Sequence, residues 1–275
     1  MSNNKKDSNV RSQEIEIKTI INLYNKAESL DYEELSILLL KTPITKDLTS
    51  IIMKKIFENA TEDTEHMIKI IKTLISLGVE LDSEDEKTGN TPLMTACFKG
   101  WSSIVELILS EKPQEITKLN GQQKNCLFFA ISSPRAINNL DLIHILLKHG
   151  VNPNHRENFY GDSCLTIVVR QDNIELASLL LQYGANPNVK VGENEMTPLH
   201  IACKNLNKSM VSLLLINKAN PDIKNKVHQT ALDYLLTVAK DKSDSPKIQS
   251  LCKEIKELFE MVQKNINIKS PSKYF

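Results

Sequence analysis

The chain is short of several things, and each shortage removes a class of function. Only eight of its 275 residues are glycine, so little backbone is free to cradle a phosphate, and no phosphate-loop or nucleophile-elbow motif stands out. Net charge is also lacking, with 34 basic residues against 34 acidic ones. A nucleic-acid or anionic-membrane partner calls for a clustered positive field, so neither is expected. Arginine is confined to positions 11, 135, 156 and 170, and the other basic residues are lysines, which solvate a surface well but make a poor bidentate fork for phosphate. No stretch approaches the roughly 18 apolar residues of a membrane span. The polar opening, Met1-Ser-Asn-Asn-Lys-Lys-Asp7, lacks the apolar core of a signal peptide. The five cysteines and six histidines show no paired metal-ligand or catalytic spacing. No catalytic residue, metal or cofactor is therefore expected.

What the chain does have is one short segment written several times. It reads Gly89-Asn-Thr-Pro-Leu-Met-Thr-Ala-Cys97, then Lys124-Asn-Cys-Leu-Phe-Phe-Ala130, Gly161-Asp-Ser-Cys-Leu-Thr-Ile167 and Glu195-Met-Thr-Pro-Leu-His-Ile-Ala-Cys203, with Gln229-Thr-Ala-Leu-Asp-Tyr234 last. Its leucines stand at 93, 127, 165, 199 and 232, a period near 33 residues, which marks a repeat architecture. Thr91 and Thr197 are placed as helix N-caps. Pro92 and Pro198 follow at the first helical position, where a missing N–H costs nothing. A second apolar stripe follows each segment, such as Ile104, Val105, Leu107 and Ile108. Gly78, Gly150 and Gly184 close such stripes in the left-handed position, and Lys218 stands at the matching place. Cys97 and Cys203 occupy equivalent repeat positions, as do Cys126 and Cys164, so they read as small, reduced core residues.

These residues make the chain similar to the ankyrin-repeat family, with clear motifs over 88–236 and weaker ones over 14–87 and 237–263. The resemblance implies an all-α solenoid of six to seven helix-turn-helix units with short hairpin-like turns and degenerate caps. The expected organisation is a disordered 1–13, degenerate units at 14–44 and 45–86, and repeats at 87–119, 121–154, 159–188 and 193–222. A capping repeat at 226–263 and a flexible tail at 264–275 complete it. Four extra residues near 134–139 fall between the two helices of one repeat.

By the same resemblance, the chain is a non-enzymatic scaffold, a monomer, that docks a partner protein on its turn tips and on its concave face, formed by the inner side of the first helices and their ends. Carried over position by position, the expected binding residues are Lys87, Phe98, Lys99, Trp101, Gln122, Phe159, Tyr160, Asp162, Arg170, Gln171, Glu193, Met196, Lys204 and Lys226. Phe98 and Trp101 fall where the family has polar residues or histidine, and Phe159-Tyr160 sits on a turn tip. Aromatic and arginine side chains are common interface anchors. His200 takes a structural role in the motif. Asn154 and Asn188 loosely resemble asparagine-hydroxylation sites of ankyrin proteins. A cytoplasmic location is expected. Stand-alone arrays of this Asn-, Lys- and Ile-rich composition also resemble effectors that intracellular microbes deliver into host cytoplasm. Two alternatives stay open. Ile248-Gln-Ser-Leu-Cys-Lys253 resembles the elongin-binding stretch of a SOCS box, implying a substrate-recognition subunit of a ubiquitin ligase, although Lys256 replaces an apolar residue of that pattern. An enzyme would need a site in the terminal extensions, where no constellation supports one.

Overall fold

The computed structural model describes residues 46–79, 81, 84–85, 87–159, 161–241 and 245–264, together with 26, 35, 37 and 39. Among these residues there are twelve α-helices and no strand beyond two isolated bridges. The helices pair in chain order. They are α1 (Lys46–Asn59) with α2 (Glu65–Ser76), α3 (Pro92–Lys99) with α4 (Ser102–Glu111), and α5 (Cys126–Ser132) with α6 (Leu140–Lys148). Then come α7 (Cys164–Arg170) with α8 (Ile174–Gln182), α9 (Pro198–Lys204) with α10 (Lys208–Ile216), and α11 (Ala231–Asp241) with α12 (Pro246–Gln263). A 3-10 turn, Pro113–Thr117, follows α4. The described part thus holds six hairpins of an all-α solenoid. Of the expected first unit at 14–44, residues 26, 35, 37 and 39 are helical and Leu35 and Leu39 are buried. The expected terminal segment 1–13, and all of the expected tail 264–275 except Lys264, lie outside the described residues.

The repeated segment starts α3, α5, α7, α9 and α11 in the same way, whether or not proline is present. Oxygens of Thr91, Asn125, Ser163 and Thr197 accept from the backbone N–H three residues on, at 3.2–3.4 Å. Thr230 does the same for Asp233 N at 3.2 Å. The cap therefore needs a side-chain oxygen and tolerates the loss of proline. Second helices use asparagine: Asn139, Asn173 and Asn207 accept from Leu142, Leu176 and Met210 N–H at 2.9–3.0 Å. The register leucines 93, 127, 165 and 199 are buried, as are Ala96, Ala130 and Ala202, whose small size lets neighbouring first helices approach. Ile104, Val105 and Ile108 do the same work in α4, and Val211 and Leu214 in α10. Each fully buried aliphatic contributes about 1.5–3 kcal/mol. Since the core is shared between hairpins, that stabilisation exists only in the stack.

Three side-chain systems fix one repeat against the next. His200 Nδ1 lies 3.3 Å from Thr197 N and 2.8 Å from its hydroxyl, while Nε2 lies 3.0 Å from the Gln229 carbonyl. The backbone N–H must donate to Nδ1, so the proton sits on Nε2 and donates across the repeat boundary. Asparagines after the second helices form a ladder. Asn154 Nδ2 donates to Gly184 O at 2.9 Å and its Oδ1 accepts from Asn186 N at 2.7 Å. Asn188 repeats both bonds with Lys218 O at 3.1 Å and Asn220 N at 2.7 Å. Arg156 bridges Gly161 O at 2.8 Å and Lys190 O at 2.9 Å. Lys218 has φ +66°, the left-handed conformation that Gly150 and Gly184 adopt at the two preceding equivalent positions.

Candidate surface for partner docking

The turns between repeats project as fingers. Their inner bridges are antiparallel, Arg156 to Ser163 and Val191 to Met196, the latter with N–H···O bonds of 2.9 and 3.1 Å. Adjacent fingers are tied edge to edge: Gly121 N donates to Thr88 O at 3.3 Å and Lys226 N to Asn194 O at 3.0 Å. Gly89, at φ +67°, lets them approach, because a Cβ there would meet Gly121 N at 2.8 Å. Lys87, Gln122, Glu193 and Lys226 are exposed on the tips. Phe159 is 79% exposed, its N–H donating to Glu157 Oε2 at 2.8 Å. The tip is therefore held in place while the ring remains in water. Tyr160 lies outside the described residues.

Phe98, Arg170 and Lys204 share one repeat position, five residues after the register leucine, and all three are exposed; Phe98 is 46% open. Arg170 is braced from below by the buried Asp162, which accepts from its guanidinium and, at 3.3 Å, from the Thr166 hydroxyl. Arg170, Glu193, Met196 and Lys204 line one groove of about 420 Å³ together with Ile201, which sequence reasoning did not single out. Gln171 is exposed at the end of α7. A second groove of about 510 Å³ lies toward α1, between Ile51, Phe57, Pro92, Thr95 and Lys99, with the Lys54–Asp85 ion pair (3.3 Å) among its lining. The motif gave no signal for it, because α1 belongs to a unit that lacks the repeated segment.

Three of the expected surface residues serve the fold instead. Trp101 is only 2% exposed, packed edge-on against Phe57 with ring centroids 5.4 Å apart. Its indole Nε1 points to Thr61 O at 3.5 Å. The reason lies in the register: Trp101 stands where later repeats carry the capping asparagines 139, 173 and 207. Lacking a capping oxygen, α4 borrows one from the previous hairpin, as Ser103 N donates to Asp63 Oδ2 at 3.1 Å. Lys99 also turns inward. Its ammonium donates to Glu58 O at 3.3 Å and Ala60 O at 2.6 Å, at the end of α1, and stands 4.9 Å from the Trp101 ring centroid. Burial, and then the Arg135 charge, hold this lysine below its ordinary pKa. Asp162, being buried, acts through Arg170.

The cysteines are all free and buried, and burial pushes the Cys97 and Cys164 thiols far up from their ordinary range. Cys252 is buried along the same face of α12 as Ile255 and Phe259, so the stretch that resembles an elongin-binding motif turns its cysteine into the array. Asn154 and Asn188, read from the sequence as loose hydroxylation sites, are the rungs of the inter-repeat ladder. Among the described residues no group of three or more His, Cys, Asp or Glu could hold a metal ion, and no helix is long and apolar enough to cross a membrane.

Stacked helical hairpins with capped first helices and finger-like turns define a repeat solenoid. The family model for ankyrin repeats (three copies) matches residues 58–157 and 135–226, and the chain belongs to the ankyrin-repeat family. Ankyrin repeats are protein–protein interaction modules and in general carry no catalysis of their own. The chain is similar to one in the solved structure of the predatory endopeptidase Bd0816 from Bdellovibrio bacteriovorus in complex with immunity protein Bd3460. That match has 23% identity, 73% of this chain, 96% of that one and a TM-score of 0.57. It is also similar to the ankyrin repeat domain of Bcl-3, a member of the IkappaB protein family, at 18% identity, with 77% and 92% coverage and a TM-score of 0.63. At these identities the likeness is one of fold. No curated protein matches the chain.

Proposed function

We propose that this protein is a non-enzymatic scaffold that docks a partner protein on its finger tips and on the exposed ends of α3, α7 and α9. The observation that carries this reading is Phe159, an aromatic side chain left 79% open on a finger whose backbone is pinned by Glu157. A partner that covers the exposed ring gains its burial. Phe98 offers a second apolar contact, and the groove of Arg170, Glu193 and Lys204 supplies polar contacts between fingers and helices. A preformed array lowers the ordering cost of association, which suits an adaptor, an inhibitor or a delivered effector. The five free cysteines fit action in a reducing compartment such as the cytoplasm.

The test is affinity capture from lysate with the full chain, followed by a dissociation constant for the purified partner. Phe98→Ala combined with Phe159→Ala should weaken binding by about 10- to 100-fold, as loss of interface anchors does. The His144–Tyr183 ring pair (centroids 5.7 Å apart) lies on the side of the second helices, His144 in α6 and Tyr183 at the C-terminal end of α8. If Tyr183→Ala weakens binding and the double phenylalanine variant does not, the docking face is the other one.

A further inference from the structure

Asn120 and Gly121 are the single Asn-Gly step in the chain, and they sit at the root of a finger. We infer that Asn120 is a latent self-modification site. The amide nitrogen of Gly121 converts it to aspartate or isoaspartate when this finger opens, and the folded array holds it inert.

The chemistry needs nothing beyond the chain and water. The Gly121 nitrogen attacks Asn120 Cγ and an N–Cγ bond forms. The Cγ–Nδ2 bond breaks, and ammonia leaves carrying the proton lost by the amide. Water then opens the resulting succinimide at either carbonyl, giving aspartate or isoaspartate. Glycine favours the attack because no side chain hinders the nitrogen and its backbone is the most permissive.

In the fold both reacting groups are engaged. Gly121 N donates to Thr88 O of the neighbouring finger at 3.3 Å. Asn120 Oδ1 accepts from Gln122 N at 3.0 Å and Lys124 N at 2.9 Å, and its Nδ2 donates to Asn90 Oδ1 at 2.8 Å. The residue is 5% exposed. Attack therefore requires the finger to leave its neighbour, and conversion follows the population of that open state. The aspartate carboxylate has no hydrogen to give Asn90 Oδ1 and places a charge at a 5% exposed site, and isoaspartate lengthens the backbone at the point where two fingers meet. A chain that has spent time open is thus altered, chemically and irreversibly, beside Thr88 and Gln122 on the finger edge.

The fold supplies an internal control. Asn225 holds the same place in the last finger, its Oδ1 accepting from Val227 N at 3.1 Å and Gln229 N at 2.9 Å. It is followed by Lys226, whose side chain hinders the same attack.

The test incubates the full chain at mildly alkaline pH, folded and in guanidinium, and maps Asn120 by tryptic peptide mass. Acid product should build up in denaturant and form at least ~10-fold more slowly in the folded chain. Asn225 should stay unchanged in both, and Gly121→Ala should suppress the reaction in denaturant. Equal rates in the folded and denatured chains, no reaction at Asn120 in denaturant, or a Gly121→Ala chain that reacts as fast as wild type would each overturn the assignment. The Asn120→Asp chain should show a lowered unfolding midpoint. An unchanged midpoint would refute the claim that the product damages the finger pair.

Discussion

Trp101 separates a fold residue from a docking residue more sharply than any other position in the chain. It is among the largest fully buried side chains, 2% exposed, and couples α4 to the preceding hairpin through Phe57 and Thr61. Truncating a buried tryptophan costs about 3–5 kcal/mol, of which the edge-on ring pair supplies roughly 0.5–1.5 kcal/mol. Trp101→Phe keeps a ring beside Phe57 and loses the indole N–H and some volume, so a smaller cost of about 1–2 kcal/mol is expected. Phe159→Ala, by contrast, should shift stability by no more than about 0.5 kcal/mol. The assay is guanidinium unfolding followed by far-UV circular dichroism, since the Trp101 variants remove the only tryptophan. In the wild type, Trp101 emission should be blue-shifted and shielded from acrylamide until the array unfolds. A Trp101→Ala chain destabilised by less than about 1 kcal/mol, or a tryptophan freely quenched in the native state, would refute the placement.

Lys218→Gly should stabilise the protein by about 0.5–1 kcal/mol, because a left-handed residue loses its Cβ penalty while its carbonyl still receives Asn188 Nδ2; the shift of the unfolding midpoint measures it. Burial holds the His200 imidazole below its ordinary value of 6.5, against the upward pull of the Gln229 carbonyl. With the folded value depressed, the unfolded chain takes up the proton first. Stability should therefore be undiminished above pH 6.5 and fall as the pH drops below it, with a shallower fall in His200→Gln. Asn188→Ala removes two inter-repeat bonds at 2.7 and 3.1 Å and should cost about 1–2 kcal/mol by the same unfolding assay.

The period and the caps were legible because both are local. Thr91, Pro92 and Leu93 announce a helix start from their own chemistry, whereas the caps at Asn125 and Ser163, which lack the proline, emerge from the structure. The burial of Trp101 was not legible in the same way. An aromatic residue at the end of a first helix reads as a surface anchor until it is aligned with Asn139, Asn173 and Asn207, which shows it to be a capping position without a cap. Lys99 turns inward because the carbonyls ending α1 lie within its reach, a long-range contact that no spacing rule contains. Asp162 reads as a tip residue, yet it is buried beneath Arg170. Phe159 is the opposite case, since its exposure depends only on the finger that carries it. The groove beside α1 is built from a degenerate unit, whose residues give no repeat signal.

The asparagine ladder has a consequence for how such a chain can change length. Asn152, Asn186 and Asn220 recur every 34 residues, and each two-bond rung looks the same to the repeat that follows it. Excising 155–188 would bring Asn154 onto Lys218 O and Asn220 N, the partners that Asn188 now holds. The joint is indifferent to which copy stands on either side. Whole units can therefore be lost, duplicated or exchanged without unmaking the seam, whereas an insertion of any other length must be looped out, as the four residues after Ser133 are.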